Sequence, residues 1–254
     1  MRMPTAVSRK SAFQIGEEWD RAADRRHEQI ESRRDLSFWN ILAPTTLELL
    51  SSCNTTRVLD VGCGTGELTE QIAKIAAAVV GVDVSRHSIE LAQGHGTATA
   101  NVRFVAGDLE GIRADVGPEP FTAVVAAMTL MTVPDLSAGF RAISEALVPG
   151  GHLVSTITHP CFWPRYWGYD AAKWFYYDQE IFIEAPFRIS LDFTDEVTTH
   201  IHRPLAFYLN EAARWDLVLE VFREPVPSPA IAALYPAPWT TPRFAAFRWR
   251  KGLG

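Results

Sequence analysis

Gly62, Gly64 and Gly66 stand between two carboxylates, Asp60 and Glu67, in the segment Arg57-Val-Leu-Asp-Val-Gly-Cys-Gly-Thr-Gly-Glu-Leu-Thr-Glu-Gln-Ile72. Glycines at that spacing let a backbone turn approach a small ligand closely. The spacing is G-x-G-x-G, and Glu67 occupies the place of the third glycine in a dinucleotide G-x-G-x-x-G. A carboxylate there repels phosphates, and Asp60 adds a second negative charge beside the turn. The chemistry these residues suit is the binding of a cationic or zwitterionic ligand that carries no phosphate. The turn needs a buried strand before it (Arg57 to Val61) and a helix after it, beginning near Gly66.

Val58-Leu-Asp-Val-Gly-Cys-Gly-Thr-Gly66 resembles the first motif of the class I S-adenosylmethionine (SAM)-dependent methyltransferases. The resemblance implies that Gly62, Cys63, Gly64 and Gly66 line the methionine part of SAM, or of its product S-adenosylhomocysteine. Asp60 then lies at the edge receiving the amino group. Asp83, with Val84, ends the apolar run from Val79. A carboxylate at that strand end can accept both hydroxyls of a ribose. Asp108 and Leu109 follow a third strand and resemble the family's adenine edge, although Gly-Asp is also a common turn. The backbone from Ala126 to Thr129 is expected to face the sulfonium and the acceptor. It reads Ala127-Met-Thr-Leu130, without the Asn/Asp-Pro-Pro-Tyr of the nucleobase and glutamine N-methyltransferases.

Methyl transfer from a sulfonium is one in-line displacement, to which a protein contributes alignment, exclusion of water and sometimes a base. His159, in Thr158-His-Pro-Cys161, follows the fifth strand on the ligand edge and is one candidate base. A histidine merely hydrogen-bonded at that junction is the competing reading. His202 is the second candidate, within Thr199-His-Ile-His-Arg-Pro-Leu205, which resembles a recurrent family segment before the penultimate helix. Two histidines in H-x-H without a third ligand at metal spacing make a weak metal site, and no metal is expected.

These residues are positioned by strands alternating with helices. Strands are expected at 57–61, 79–84, 101–106, 121–127 and 152–158. Helices are expected from Ser85, as N-cap, to about Gln93, and over 135–147. That alternation predicts right-handed crossovers and a doubly wound α/β sheet. The resemblance makes it Rossmann-like, with seven mostly parallel strands and an antiparallel last strand. Residues 12–50 read as N-terminal helices, 55–158 as the core, 159–202 as a cap, and 203–254 as a helix and closing hairpin, all one domain. The cap is crowded with aromatics, and Trp163, Tyr166, Trp174 and Tyr177 are the expected acceptor-pocket residues. Arg165, Lys173 and Arg188 could add a carboxylate clamp.

The 254 residues can bury a large core, and 47% of them are hydrophobic. A net charge of −6 argues against a nucleic-acid or anionic-membrane surface. Three cysteines without C-x-x-C suit a reducing compartment, and no run of about 20 apolar residues spans a bilayer. The expectation is a cytoplasmic monomer or homodimer that methylates an O or N atom of a small molecule. Rival readings are a cyclase or binding module on the same fold, an RNA or protein methyltransferase, and a nicotinamide oxidoreductase, which Glu67 disfavours.

Overall fold

The computed structural model describes residues 3–94 and 100–253. In chain order the elements begin with β1 (Thr5–Val7), α1 (Ala12–Glu31), a π-helical turn (Phe38–Leu42) and α2 (Ala43–Leu50). The core follows as β2 (Arg57–Val61), α3 (Glu67–Ala73), β3 (Ala78–Asp83), α4 (Arg86–Gly94), β4 (Val102–Ala106), α5 (Ile112–Val116), β5 (Phe121–Ala127), α6 (Leu136–Ala146) and β6 (Leu147–Thr158). The chain closes with α7 (Trp163–Trp167), β7 (Ile181–Arg188), β8 (Phe193–His202), α8 (Leu205–Arg214), β9 (Leu217–Arg223), α9 (Pro229–Ala232) and β10 (Phe244–Lys251).

Seven strands form one sheet in the order β4-β3-β2-β5-β6-β10-β9, with β10 antiparallel to both neighbours. The central strands are apolar because helices cover both faces of the sheet. One face buries Leu59, Val80, Val124 and Leu153 against Phe140 and Ile143 of α6. The other buries Val58, Val79, Val125 and Val154 against α2 and α3, through Leu49, Leu50 and Ile72. Chain order reverses across β2, with β3 on one side and β5 on the other. Loops leaving the carboxyl ends of these strands therefore diverge and open a crevice.

The expected core strands and helices are present. The backbone N–H of Ser88 donates to Ser85 Oγ at 3.0 Å, so Ser85 caps α4 as anticipated. The cap, expected to be crowded with aromatics, also carries regular strands. β7 and β8 make an antiparallel ribbon, and β1 adds a third strand, pairing Thr5 with Glu184 and Val7 with Phe182. The N-terminal segment and the cap thus share one small sheet. Among the described residues, no helix is long and apolar enough to cross a membrane.

Candidate cofactor and acceptor site

Gly62, Gly64 and Gly66 all take positive φ (69°, 55° and 93°), a region that side-chain-bearing residues rarely enter. Their surroundings differ. A Cβ on Gly62 would lie 2.2 Å from Thr129 Oγ1, whose hydroxyl donates to the carbonyl of Val61 at 2.9 Å. Thr129, from the loop after β5, therefore seats directly on the turn. A Cβ on Gly66 would meet the Phe104 ring at 2.8 Å, so this glycine permits helix–strand packing. Gly64 has open space beside it.

Next to the turn lies a cavity of about 200 Å³. Asp60, Gly62, Cys63, Gly64, Asp83 and Val84 line it, together with Asp108 and Leu109. Gly66 and Ala126 are not in its wall: Ala126 is fully buried in the core, and Ala127, Met128 and Thr129 line the cavity instead. Met128 holds φ 58° and is tied by its N–H to the Thr156 carbonyl at 2.8 Å.

The carboxylates are held individually. Asp83 accepts the N–H groups of Gly64 and Ser85, each at 2.8 Å, and so fastens the glycine turn to the end of β3. Burial pushes its pKa up, against the pull of those donors. Asp60 is 1% exposed and accepts the Thr69 hydroxyl at 2.6 Å. Burial raises its pKa to about 7, opposed by the Thr69 bond and reinforced by the negative charge of Asp83. Glu67 accepts the Thr65 hydroxyl at 2.7 Å and pairs with His27 Nδ1 at 2.9 Å. Asp60, Glu67, Asp83 and Asp108 face Arg26 in this wall, a balance that suits a cationic ligand.

The roof of the cavity comes from α1 and the π-helical turn. Ile15, Trp19, Ala23 and Ile30 of α1 face it, with Phe38 and Leu42 beyond. Asp20 accepts the Ser85 hydroxyl at 2.7 Å and the His87 N–H at 3.1 Å, which locks α1 onto the start of α4. Sequence reading assigned no site role to α1. The available signal was an amphipathic stretch with Ile15, Trp19, Ala22, Ala23 and Ile30 at helical spacing.

Residues 58–151 match the family described as a methyltransferase domain. A ubiquinone biosynthesis O-methyltransferase of Proteus mirabilis is 35% identical over 98 residues, covering 38% of this chain and 40% of that protein. The chain spans less than half the length of the curated relatives it matches. A putative SAM-dependent methyltransferase from Listeria monocytogenes superposes with a TM-score of 0.65 at 19% identity, over 82% of this chain and 96% of its own. The [4+2]-cyclase SpnF superposes over 100% of both chains with a TM-score of 0.63 at 16% identity. The chain has the class I SAM-dependent methyltransferase fold. In this methyltransferase fold the cavity sits at the glycine-turn end of the sheet.

Relative to that cavity, the candidate bases lie elsewhere. His159 is 2% exposed, and its Nε2 faces Glu224 Oε1 at 2.8 Å. Its Nδ1 accepts the Cys161 N–H at 3.2 Å, which leaves the proton on Nε2 for Glu224. Burial lowers its pKa, so the neutral ring is favoured. His202 Nε2 donates to the Tyr177 carbonyl at 3.0 Å, and its ring packs on Phe175 at 4.8 Å. Neither histidine lines the cavity. Trp163, Tyr166, Trp174 and Tyr177 are also outside its wall. Trp174 stacks on Tyr169 in the cap core, and Tyr177 is exposed, with its hydroxyl accepting the Leu205 N–H. Trp163 packs on the small cluster that contains Leu42, against which Met128 also packs, and touches Tyr166; Leu42 and Met128 both line the cavity. Trp163 and Tyr166 therefore stand one layer behind the wall.

Proposed function

We propose that this chain transfers a methyl group from SAM to an oxygen or nitrogen atom of a small molecule. The observation carrying the reading is the cavity that joins the left-handed glycine turn to carboxylates at three successive strand ends, Asp60, Asp83 and Asp108, and to Glu67 at the start of α3. Gly62, Cys63 and Gly64 are assigned to the methionine part, Asp60 to its amino edge, Asp83 and Val84 to the ribose, and Asp108 with Leu109 to the adenine. Gly66 supports the turn by packing on Phe104, and Ala126 supports the Ala127–Thr129 backbone from the core. When bound, SAM supplies a sulfonium-activated methyl group. The chain's own residues hold it, with α1 excluding water from above and Met128 and Thr129 bounding the side where an acceptor must enter.

Relatives named for O-methylation support oxygen as the receiving atom. The net charge of −6 supports a small acceptor over a nucleic acid. Calorimetric titration with S-adenosylhomocysteine tests the cofactor half, and mass spectrometry of cell extract for SAM-dependent gain of CH₂ tests the transfer. No retention of either nucleoside by folded protein would sink the proposal.

A second reading is a protein that binds the nucleoside or a substrate without moving a methyl group. It is favoured by the engagement of both nitrogens of His159, and by the likeness to a cyclase. Cofactor retention with no methylated product across the extract would support it.

A further inference from the structure

Arg243 and Arg188 both approach the Tyr166 ring, in an arrangement that the cofactor reading leaves unused. Arg243, at the start of the last strand's approach, is 3% exposed. Its guanidinium lies 4.0 Å from the Tyr166 ring centre, 4.2 Å from Trp239 and 5.2 Å from Tyr235. One of its amino groups, Nη2, donates to the carbonyls of Ala237 and Pro238, at 2.8 and 3.2 Å. Arg188, at the end of β7, approaches the same Tyr166 ring at 5.8 Å. Among the described residues, neither guanidinium makes an ion pair.

A buried guanidinium without a carboxylate is costly, and a second one nearby adds repulsion. Burial lowers the pKa of both arginines, and Arg188 further lowers that of Arg243. The indole N–H groups of Trp163 and Trp239 are buried without a partner in the same cluster. Two cations and two unspent donors set among aromatic rings match a planar anion. Trp163, Tyr235 and Trp239 pack with Leu42 and Met128, which face the cofactor cavity. The cluster is thus adjacent to the Leu42 and Met128 part of the cavity wall. A singly charged carboxylate fits better than a phosphate dianion, because Asp60, Glu67, Asp83 and Asp108 make the neighbouring cavity acidic.

We propose that Arg243 and Arg188, with the rings of Tyr166 and Trp239, bind the carboxylate end of an aromatic acceptor. This assignment rests on the methyltransferase reading and narrows its substrate class. The aromatic ring packs against the cluster; Arg188 offers the planar fork to the carboxylate, and Arg243, whose Nη2 is taken by two backbone carbonyls, adds charge and its remaining N–H groups. The atom to be methylated then points across Leu42 and Met128.

Calorimetric titration with benzoate, 4-hydroxybenzoate and 3,4-dihydroxybenzoate, each against its neutral amide, tests the assignment, with and without saturating S-adenosylhomocysteine. At least one acid is expected to bind tenfold or more tightly than its amide. Arg188→Met is expected to abolish that preference while leaving the affinity for S-adenosylhomocysteine within twofold. Arg243→Lys, which keeps the charge but loses the guanidinium that stacks on Tyr166 and Trp239, should weaken the acid at least fivefold in protein with native near-ultraviolet circular dichroism. No binding of any acid, or equal acid and amide affinities in the wild type, overturns the carboxylate site. So does an acid preference that survives Arg188→Met. Acid binding lost in Arg188→Met, in protein that retains no S-adenosylhomocysteine, would keep the anion site and sink the methyltransferase reading alone.

Discussion

Asp83 accepts the backbone N–H of Gly64 at 2.8 Å, so the residue assigned to the ribose also fastens the turn assigned to the methionine part. Its other oxygen accepts the Ser85 N–H, which ties both to the start of α4. One carboxylate sets the spacing between two halves of the cavity.

Asp83→Ala should therefore cost more than a lost ligand contact. Hydrogen bonds to charged groups contribute ~1.5–3 kcal/mol each. Affinity for S-adenosylhomocysteine should fall at least tenfold in calorimetry, and exchange of the Gly64 amide should accelerate. An affinity within threefold of wild type would remove Asp83 from the site.

Gly62→Ala tests the seat of Thr129. The left-handed backbone alone costs an alanine ~1–2 kcal/mol, and a Cβ 2.2 Å from Thr129 Oγ1 forces the loop after β5 to move. The variant should unfold at lower urea than wild type and bind S-adenosylhomocysteine poorly. Adding Thr129→Gly should recover part of the stability, because the nearest clashing atoms all belong to that side chain. No recovery in the double variant would mean that backbone strain accounts for the whole cost.

The strands and the glycine turn were legible because their signals are local: apolar runs bounded by turn residues, with a carboxylate at the end of each of β2, β3 and β4. The doubly wound arrangement followed from the same alternation. What stayed hidden depends on contacts between distant residues. Thr5–Val7 is too short to read as a strand until Glu184 and Phe182 come beside it. The partner that occupies His159 is Glu224, 65 residues away, so its ring looked available in sequence. The place of α1 over the cavity depends on Asp20 reaching Ser85 and His87. Gly66 looked like a ligand contact, yet Phe104 claims the space beside it.

Stability should depend on pH through Asp60. Its folded pKa of about 7 lies above the ordinary carboxylate value, so between those pH values the folded chain binds more protons than the unfolded one. Stability then falls as pH rises through that window, and the penalty is complete above about 7. Asp83, raised by burial as well, acts in the same direction. Asp60→Asn keeps an acceptor for Thr69 and removes the charge. It should be more stable than wild type in urea at pH 8, with the difference shrinking toward pH 4. A pH-independent difference would place the raised pKa elsewhere.

His159→Ala is expected to act on stability and not on proton transfer. It deletes the bond to Glu224 and the acceptor for the Cys161 N–H, and it leaves a space beside Phe162, whose ring centre is 4.6 Å away. A loss of ~1–3 kcal/mol in urea unfolding follows from the unpaired groups. Affinity for S-adenosylhomocysteine should hold within twofold. Once an acceptor is in hand, the pH profile of kcat/KM should keep its wild-type shape. Loss of one limb of that profile would restore His159 as the base.

Asp20→Ala separates the roof of the cavity from its floor. Asp20 accepts the Ser85 hydroxyl and the His87 N–H, and thereby acts as a cap on α4 supplied from α1. Losing a cap costs ~0.5–2 kcal/mol, but here the same bonds also press Gly16 against Val84, where a Cβ would stand 3.1 Å from the valine side chain. His87 also pairs with Asp24 at 3.0 Å, and the acidic partners raise its pKa. That pair sits at the surface and does not replace the buried contact. Hydrogen exchange across 12–31 should therefore quicken in Asp20→Ala, with exchange in β2 and β5 unchanged. S-adenosylhomocysteine should bind several-fold more weakly, and its binding should slow exchange in α1 of the wild type. Unaltered exchange in α1 would mean that its packing on the cap ribbon, through Glu18 and Thr199, holds the roof without Asp20.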